Sequence, residues 1–164
     1  MAGVAHRGRQ FFGAMRPRVD AEQRAEAYRY LNGPQRDVFE SMMLRDQQHG
    51  IDVYRRVRAV APANDHALFA AALLHDCGKG RVALWQRVAY VLLGAAAPSV
   101  RARIASEHGA GWRRAFWRLV HHPDLGADMV ARTAADPDTI RMIREQDATA
   151  PDQRLALLQA ADDA

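Results

Sequence analysis

Residues 71–80 read AALLHDCGKG, an apolar run that passes directly into an adjacent histidine and aspartate. Imidazole and carboxylate groups are common metal ligands in proteins. The dipeptide alone is a weak signal, but here it ends an apolar run that is typical of a buried helix. Glycines flank Lys79, which is the only lysine of the chain. These neighbours indicate a functional site rather than ordinary surface.

Composition and spacing predict a single domain of the all-α class. The chain has 164 residues, of which 49% are hydrophobic, which is enough to bury one core. Apolar residues recur every three or four positions, and alternating β-branched runs are few. Glycine and proline signals divide the chain into about eight or nine helices. We expect a loose basic arm over residues 1–19 and the helical domain over residues 20–164.

Charge and hydropathy limit the partners and the compartment that we expect. The net charge is +4, but acidic residues are interleaved with the arginines, so we interpret the basic pairs as solvated and expect no nucleic-acid partner. The longest apolar stretch, 88–98, is about half of the roughly 20 residues that span a bilayer, so we expect no membrane partner. Residues 1–19 lack the apolar run of a secretion signal, and the one cysteine, Cys77, agrees with a reducing compartment. We therefore expect a cytoplasmic protein.

A first candidate ligand lies in the segment 35–61, which the spacing predicts to be one helix. His49 falls on its inward face, and Asp46 lies one turn earlier, where its carboxylate can hold the imidazole tautomer. A histidine on such a face is also compatible with a hydrogen-bonded core residue. The predicted inward face comprises Met42, Asp46, His49, Val53, Val57 and Val60.

The second candidate is the histidine and aspartate pair at the end of the segment 64–79, which is predicted to be the central helix. Burying the carboxylate of Asp76 is costly without a cation, and a divalent metal is the simplest one. Gly78 would loosen the end of the helix and let Lys79 turn back towards an anion near the metal. The alternative reading makes Asp76 and Lys79 solvated surface residues.

Two further segments offer one ligand each. His122 continues a stripe formed by Trp112, Phe116 and Leu119, and we expect Pro123 to end that helix. His121 lies on the Trp117 face instead, and either histidine can be the inward one. In the last helix Asp162 shares a face with Leu155 and Leu158, whereas Asp163 does not, although acids so near a terminus are often solvated. Cys77 is interpreted as a small residue packed behind the site.

Taken in chain order, His49, then His75-Asp76, then Asp162 form an H…HD…D pattern, and residues 75–79 read HDCGK. This pattern resembles the HD-domain superfamily of metal-dependent phosphohydrolases, in the HDxGK variant of small stand-alone bacterial members. The match spans about residues 46–162. Residues 122–128 read HPDLGAD, which is similar to the HPxxGA element of the HD-GYP branch.

The resemblance implies a compact HD-domain helical bundle in which these two histidines and two aspartates ligate a divalent metal. Asp76 would be able to bridge to a second ion, and His122 would belong to that second site. In dinuclear relatives a further histidine pair follows, but here residues 143–147 read IREQD, and the GYP tripeptide is missing. This difference argues against hydrolysis of cyclic dinucleotides, and it leaves Glu145 or Asp147 as the remaining oxygen ligands.

The mixed nitrogen and oxygen ligand set favours Mn²⁺, Fe²⁺, Co²⁺ or Ni²⁺, with Zn²⁺ and Mg²⁺ as further candidates. The expected function is hydrolysis of a phosphomonoester or nucleotide phosphate by a metal-activated water. Asp76 and Lys79 are the expected catalytic residues, and Lys79 with Arg81 would bind the phosphate of a small substrate. The alternative is a silent regulatory module that binds a metal or nucleotide. A di-iron oxygenase would need about six protein ligands, which we cannot identify in the chain.

Overall fold

The computed structural model describes residues 18–96 and 98–164, so most of the predicted basic arm lies outside the described residues. The described part contains nine α-helices, one 3₁₀ turn and no strand, which confirms the all-α prediction. The helices are α1 (Ala21–Tyr28), α2 (Gly33–Ser41), α3 (Leu44–Val60), α4 (His66–Leu74), α5 (Leu84–Ala96), α6 (Pro98–Ile104), α7 (Trp112–Ala131), α8 (Pro137–Arg144) and α9 (Gln153–Asp162); the 3₁₀ turn (Cys77–Lys79) follows α4.

Side-chain caps fix where five of these helices begin. In each case an aspartate or asparagine directly before the helix accepts a hydrogen bond from a backbone N–H of the first turn, which would otherwise lack a partner. In α1 and α2 the side chain of a glutamine in the first turn also accepts a hydrogen bond from the backbone N–H of the capping residue, which completes a capping box. The capping residues are Asp20, Asn32, Asp65, Asp136 and Asp152.

The prediction of one continuous helix over residues 35–61 is wrong, because the chain leaves the helix between α2 and α3. Met42 has an extended backbone, with φ −69° and ψ 155°. The buried side chain of Gln47 donates a hydrogen bond to the Met42 carbonyl at 3.1 Å and so satisfies an acceptor that the break exposes. At the other end of α3, Val60 is 68% exposed rather than inward.

The core is centred on α4, whose residues from Leu68 to Leu74 are all buried. Helices α3, α8 and α9 pack around it. The crossing with α3 is very close, since a Cβ atom added at Gly50 would lie 2.7 Å from the carbonyl oxygen of Leu73. Only a glycine permits this approach. The crossing places His49, next to Gly50, beside the C-terminal end of α4.

The expected end of a helix at Pro123 is also wrong, because α7 continues through this residue to Ala131. Proline has no N–H, so the carbonyl of Leu119, four residues earlier, receives no main-chain bond from it. The Nδ1 atom of His122 donates to this oxygen at 2.9 Å instead. The side chain thus supplies the hydrogen bond that proline removes, and the helix persists.

The 3₁₀ turn after α4 packs directly on α7. A Cβ atom at Gly78 would lie 2.0 Å from the carbonyl oxygen of His122 and 2.6 Å from the amide nitrogen of Gly126. Arg118 of α7 donates to the carbonyl oxygens of Gly78 (3.0 Å) and Lys79 (3.3 Å). This contact brings the end of α4 to the His122 region of α7.

Helices α5 and α6 lie on the other part of α7. Tyr90 of α5 packs there against a small second cluster of Val82, Ala115 and Leu119. No residue of α5 is buried. Among the helices that the structure describes, none has both the length and the apolar character needed to cross a bilayer.

Candidate metal centre

The fold brings together the four side chains that were predicted as metal ligands. Nε2 of His49 lies 2.7 Å from Oδ1 of Asp162 and 3.9 Å from Oδ2 of Asp76. Nε2 of His75 lies 3.4 Å from Oδ1 of Asp76 and 3.3 Å from Oδ1 of Asp162. One donor atom from each of His49, His75 and Asp76 lies within 4.8 Å of the other two. Three separate helices, α3, α4 and α9, therefore converge on one point.

The imidazole of His75 has the orientation that a metal ligand requires. Its Nδ1 atom donates to the carbonyl of Ala72 at 2.9 Å, in the last turn of α4, so that Nε2 is the nitrogen directed at the cluster. Both Nε2 of His75 and Oδ1 of Asp76 are buried without a hydrogen-bond partner among the described residues. A buried polar atom without a partner is costly, and two that face each other fit a cation between them.

The centre is closed on one side and open on the other. His75 and Asp76 have side chains only 1% and 2% exposed, whereas His49 and Asp162 are 34% and 41% exposed. The buried pair provides a rigid floor, and the exposed pair forms the rim. A small molecule can therefore reach the centre from the His49 side.

The charges of the cluster depend strongly on one another. Burial opposes ionisation of Asp76, but His75 and Lys79 outweigh it and lower the pKa of this carboxyl to about 2. Burial likewise opposes the charged form of Asp162, yet its hydrogen bond with His49 and the nearby imidazole of His75 hold its pKa far below the usual value. Burial lowers the pKa of His75, but the two aspartates reverse this effect and the net shift is upward. The cluster is thus an anionic site matched to a positive charge.

Lys79 turns back as expected, but the anion that it meets is the carboxylate of Asp76. Its Nζ atom lies 2.6 Å from Oδ2 of Asp76, and its side chain is 21% exposed. Oδ1 is the oxygen of Asp76 that faces His75. Arg81, the other predicted phosphate ligand, is exposed two residues further along.

Asp46 was expected to contact His49, but it does not. It is buried on the predicted face of α3, but both carboxylate oxygens accept hydrogen bonds from Arg87 of α5, at 2.7 and 2.6 Å. A bidentate arginine satisfies a carboxylate more completely than an imidazole does, which explains the difference. Asp46 therefore joins α3 to α5. No local pattern pointed to Arg87, because its partner lies 41 residues away along the chain.

His122 is the histidine of α7 that faces the cluster. Its Nε2 atom lies 3.7 Å from Oδ1 of Asp76, and burial, followed by the charge of Lys79, lowers its pKa. His121 instead stacks on Trp117, with ring centroids 4.7 Å apart and planes at 24°. At the end of α9, Asp162 reaches the cluster while Asp163 is exposed.

The stretch 143–147 contributes a hydrogen bond to the main chain of His75 rather than a strong metal ligand. Glu145 is exposed and lies 3.2 Å from Arg141, and Asp147 is exposed as well. The buried Gln146 donates to the carbonyl of His75 at 3.1 Å, a contact that the sequence reasoning missed. Cys77 is buried as expected, and its Sγ atom lies 3.7 Å from the carbonyl oxygen of Gly126.

Comparisons of the chain with family models, with curated proteins and with solved structures found no match.

Proposed function

We propose that this protein is a metal-dependent phosphohydrolase of the HD type, acting on a small phosphomonoester or nucleotide phosphate. The proposed ligands of its divalent ion are His49, His75, Asp76 and Asp162. The observation that carries the proposal is the pair of buried atoms without partners, Nε2 of His75 and Oδ1 of Asp76. Two such atoms at the floor of an open, anionic cluster are expected where a cation is the missing partner.

The donor set fits an octahedral ion such as Mn²⁺, Fe²⁺, Co²⁺ or Ni²⁺, with Zn²⁺ and Mg²⁺ as further candidates. When bound, such an ion lowers the pKa of a coordinated water and polarises a phosphoryl oxygen. The exposed rim at His49 and Asp162 is the side on which water and substrate would approach. The orientation of His75 is already fixed by Ala72, so this ligand needs no rearrangement.

Lys79 and Arg81 are the proposed phosphate-binding residues. One proton of the Lys79 ammonium is directed at Asp76, which leaves two donors for a phosphate oxygen. In this position Lys79 holds the carboxylate in place and also offsets negative charge that develops in the transition state. A reducing, cytoplasmic location is part of the same proposal, because Cys77 is a free, buried thiol.

A catalytically silent module that binds a metal or nucleotide is the second candidate. It is favoured by the stretch 143–147, where the residues that could complete a second metal site, Glu145 and Asp147, are exposed. Among the described residues beside the first cluster, His122 with a shared Asp76 offers donors for a second ion. A single ion is sufficient for binding, while phosphoryl transfer is often assisted by two.

The test uses two neighbouring aspartates of α9 as a matched pair. Metal content of the purified protein is measured by elemental analysis for the unchanged chain, for Asp162→Asn and for Asp163→Asn. We expect about one equivalent of metal in the unchanged chain and in Asp163→Asn, and a loss of metal affinity of at least about tenfold in Asp162→Asn. Equal metal content in the two variants would refute the ligand assignment.

Turnover is measured on the same three proteins with a panel of phosphomonoesters and nucleotides in the presence of Mn²⁺, Co²⁺, Ni²⁺ or Mg²⁺. The phosphohydrolase proposal expects hydrolysis that Asp162→Asn abolishes and Asp163→Asn retains. Bound metal without hydrolysis of any substrate would overturn the enzyme proposal and support the silent module. Circular dichroism of the variants confirms that the helices are intact.

A further inference from the structure

Helix α5 carries large apolar side chains that no described part of the chain covers. Trp85, Val91 and Leu92 are 59%, 64% and 62% exposed. Leu84, Val88, Val91 and Leu92 follow one another at steps of four, three and one, which places them on one side of the helix. We call this surface, made of Leu84, Trp85, Val88, Val91 and Leu92, the α5 face.

The α5 face is continuous as well as apolar. Five neighbouring residues of α5 form one open patch, and no charged side chain takes part in it. Isolated apolar residues on a surface are common, but a contiguous patch of this kind marks a place where something binds. The residues of the patch are Leu84, Trp85, Val88, Ala89 and Leu92.

The segment that contains α5 is strongly basic, unlike the rest of the chain. Residues 77–123 contain eight basic residues and one acid, Glu107, whereas the whole chain has 23 basic and 19 acidic residues. Several of these arginines are exposed on the turn before α5, on α6 and on the first turn of α7, and these elements pack together with α5. The exposed arginines are Arg81, Arg103, Arg113 and Arg114.

The combination of an apolar face and basic surroundings narrows the classes of partner that can bind the α5 face. A second copy of the chain would bring the same positive charges against each other, which opposes association. A single-stranded nucleic acid would suit the charge, but it needs aromatic rings for base stacking, and the α5 face offers one ring, Trp85, among aliphatic side chains. The surface of an anionic bilayer satisfies both features, since it provides acyl chains and negative headgroups together.

We propose that the α5 face binds the surface of a bilayer that contains anionic phospholipids. With 13 residues, α5 is about 20 Å long, too short to span the acyl region but sufficient to lie in the plane of the interface. The absence of a spanning segment led to the expectation of no membrane partner, but peripheral binding needs none. The exposed side chains of α5 therefore revise that expectation.

Binding at this surface is independent of the proposed hydrolysis. The two regions are nevertheless joined, because Arg87 of α5 pairs with Asp46, one turn before His49 on α3. Arg87 points away from the solvent, with its side chain 17% exposed, so that it is occupied within the fold. The α5 face can thus be altered without touching the metal ligands.

The test is co-sedimentation of the full chain with vesicles of phosphatidylglycerol and phosphatidylcholine, compared with vesicles of phosphatidylcholine alone. We expect binding to the anionic vesicles only, weakening as salt is raised. The variant Leu92→Glu should reduce the partition coefficient by about tenfold or more, because it removes buried apolar area and adds a negative charge. The matched control is Val60→Glu, which makes the same change of charge at a site 68% exposed at the far end of α3.

A second measurement locates the contact. The tryptophan emission of the unchanged chain should shift to shorter wavelength on addition of anionic vesicles, and Trp85→Phe should remove most of this shift although Trp112 and Trp117 remain. Equal sedimentation of Leu92→Glu and the unchanged chain, or no binding to either vesicle, would overturn the proposal. A dimer in lipid-free solution that Leu92→Glu dissociates would also overturn it, and would assign the face to a second copy. Binding of an oligonucleotide in competition with the vesicles would assign it to nucleic acid.

Discussion

Helices α4 and α5 are both predominantly apolar, but their surroundings are opposite. Helix α4 reads HALFAAALL and α5 reads LWQRVAYVLLGAA, and both have a positive mean hydropathy. Every residue of α4 from Leu68 onwards is buried, whereas α5 has no buried residue at all. Apolar composition identifies helices that need a cover, but it does not say whether the chain itself supplies that cover.

The difference arises from the close approach of neighbours. Gly50 lets α3 touch the main chain of α4, and Gly78 lets the following turn touch α7, so α4 is enclosed on several sides. Among the described residues, helix α5 is held through Tyr90, the cluster around Val82 and the ion pair of Arg87 with Asp46. The metal ligands extend from the enclosed helix, where neighbouring backbones hold them rigidly, while α5 is left with a surface for an external partner.

The strongest test of this comparison acts on the turn that joins the two helices. Gly78→Ala places a Cβ atom 2.0 Å from the carbonyl of His122, a main-chain atom that cannot move aside alone. We expect the free energy of unfolding to fall by more than about 4 kcal/mol, measured by urea denaturation. The control is Gly33→Ala at the start of α2, where no atom lies within 4 Å and the change should stay within about 1 kcal/mol. Equal effects of the two substitutions would mean that α7 does not enclose the end of α4.

A second test concerns the ion pair of Arg87 and Asp46, which joins α5 to α3. Arg87→Met leaves the carboxylate of Asp46, which is 3% exposed, without its partner. Removing one member of a buried pair costs about 3–5 kcal/mol, so we expect a loss near the lower end of this range. Arg24→Met, which breaks the exposed pair with Glu40, should cost less than about 1 kcal/mol. Chemical denaturation of both variants compares them, and a loss for Arg87→Met no larger than for Arg24→Met would contradict the structure.

The third test compares equivalent truncations on the two helices. Leu73→Ala in α4 removes a fully buried side chain and should lower the free energy of unfolding by about 3 kcal/mol. Leu92→Ala in α5 removes a side chain 62% exposed and should change it by less than about 0.5 kcal/mol. Thermal unfolding monitored by circular dichroism ranks the two. Similar losses would show that α5 is covered in solution, for example by a second copy.

The smallest effect is expected at Cys77, where the enclosed region should remain chemically silent. Burial, with the nearby charge of Asp76, raises the pKa of this thiol to about 12, and the residue is 3% exposed. At pH 8 the native protein should react with iodoacetamide more than about a hundredfold more slowly than the urea-unfolded chain. Mass spectrometry of the time course measures the ratio. A native rate close to the unfolded rate would show that the turn after α4 opens readily.

Much of this arrangement could be predicted from the sequence, because it depends on local signals. Capping residues such as Asp65 and Asp152 fix helix starts, and the spacing around His49 and Asp162 predicted the helix faces from which these two side chains meet. The glycine and lysine after Asp76 marked the turn that follows α4. These features follow from helix geometry and need no knowledge of distant neighbours.

What could not be predicted depends on partners far along the chain. The break at Met42 has neither glycine nor proline and relies on Gln47, and the pairing of Asp46 with Arg87 replaces the expected contact with His49. The exposure of α5 depends on which helices cover it, and that information is not contained in its own residues. The predicted end of the helix at Pro123 was wrong for a different reason, because the side chain of His122 replaces the hydrogen bond that the proline cannot make.

That compensation has a consequence for the design of histidine ligands on helices. If Pro123 were alanine, its amide would compete with the ring of His122 for the Leu119 carbonyl, and the hydrogen bond that orients the ring would weaken. A proline directly after a histidine therefore reserves a main-chain carbonyl for the imidazole, so that Nδ1 is committed to the helix and Nε2 faces outward from it.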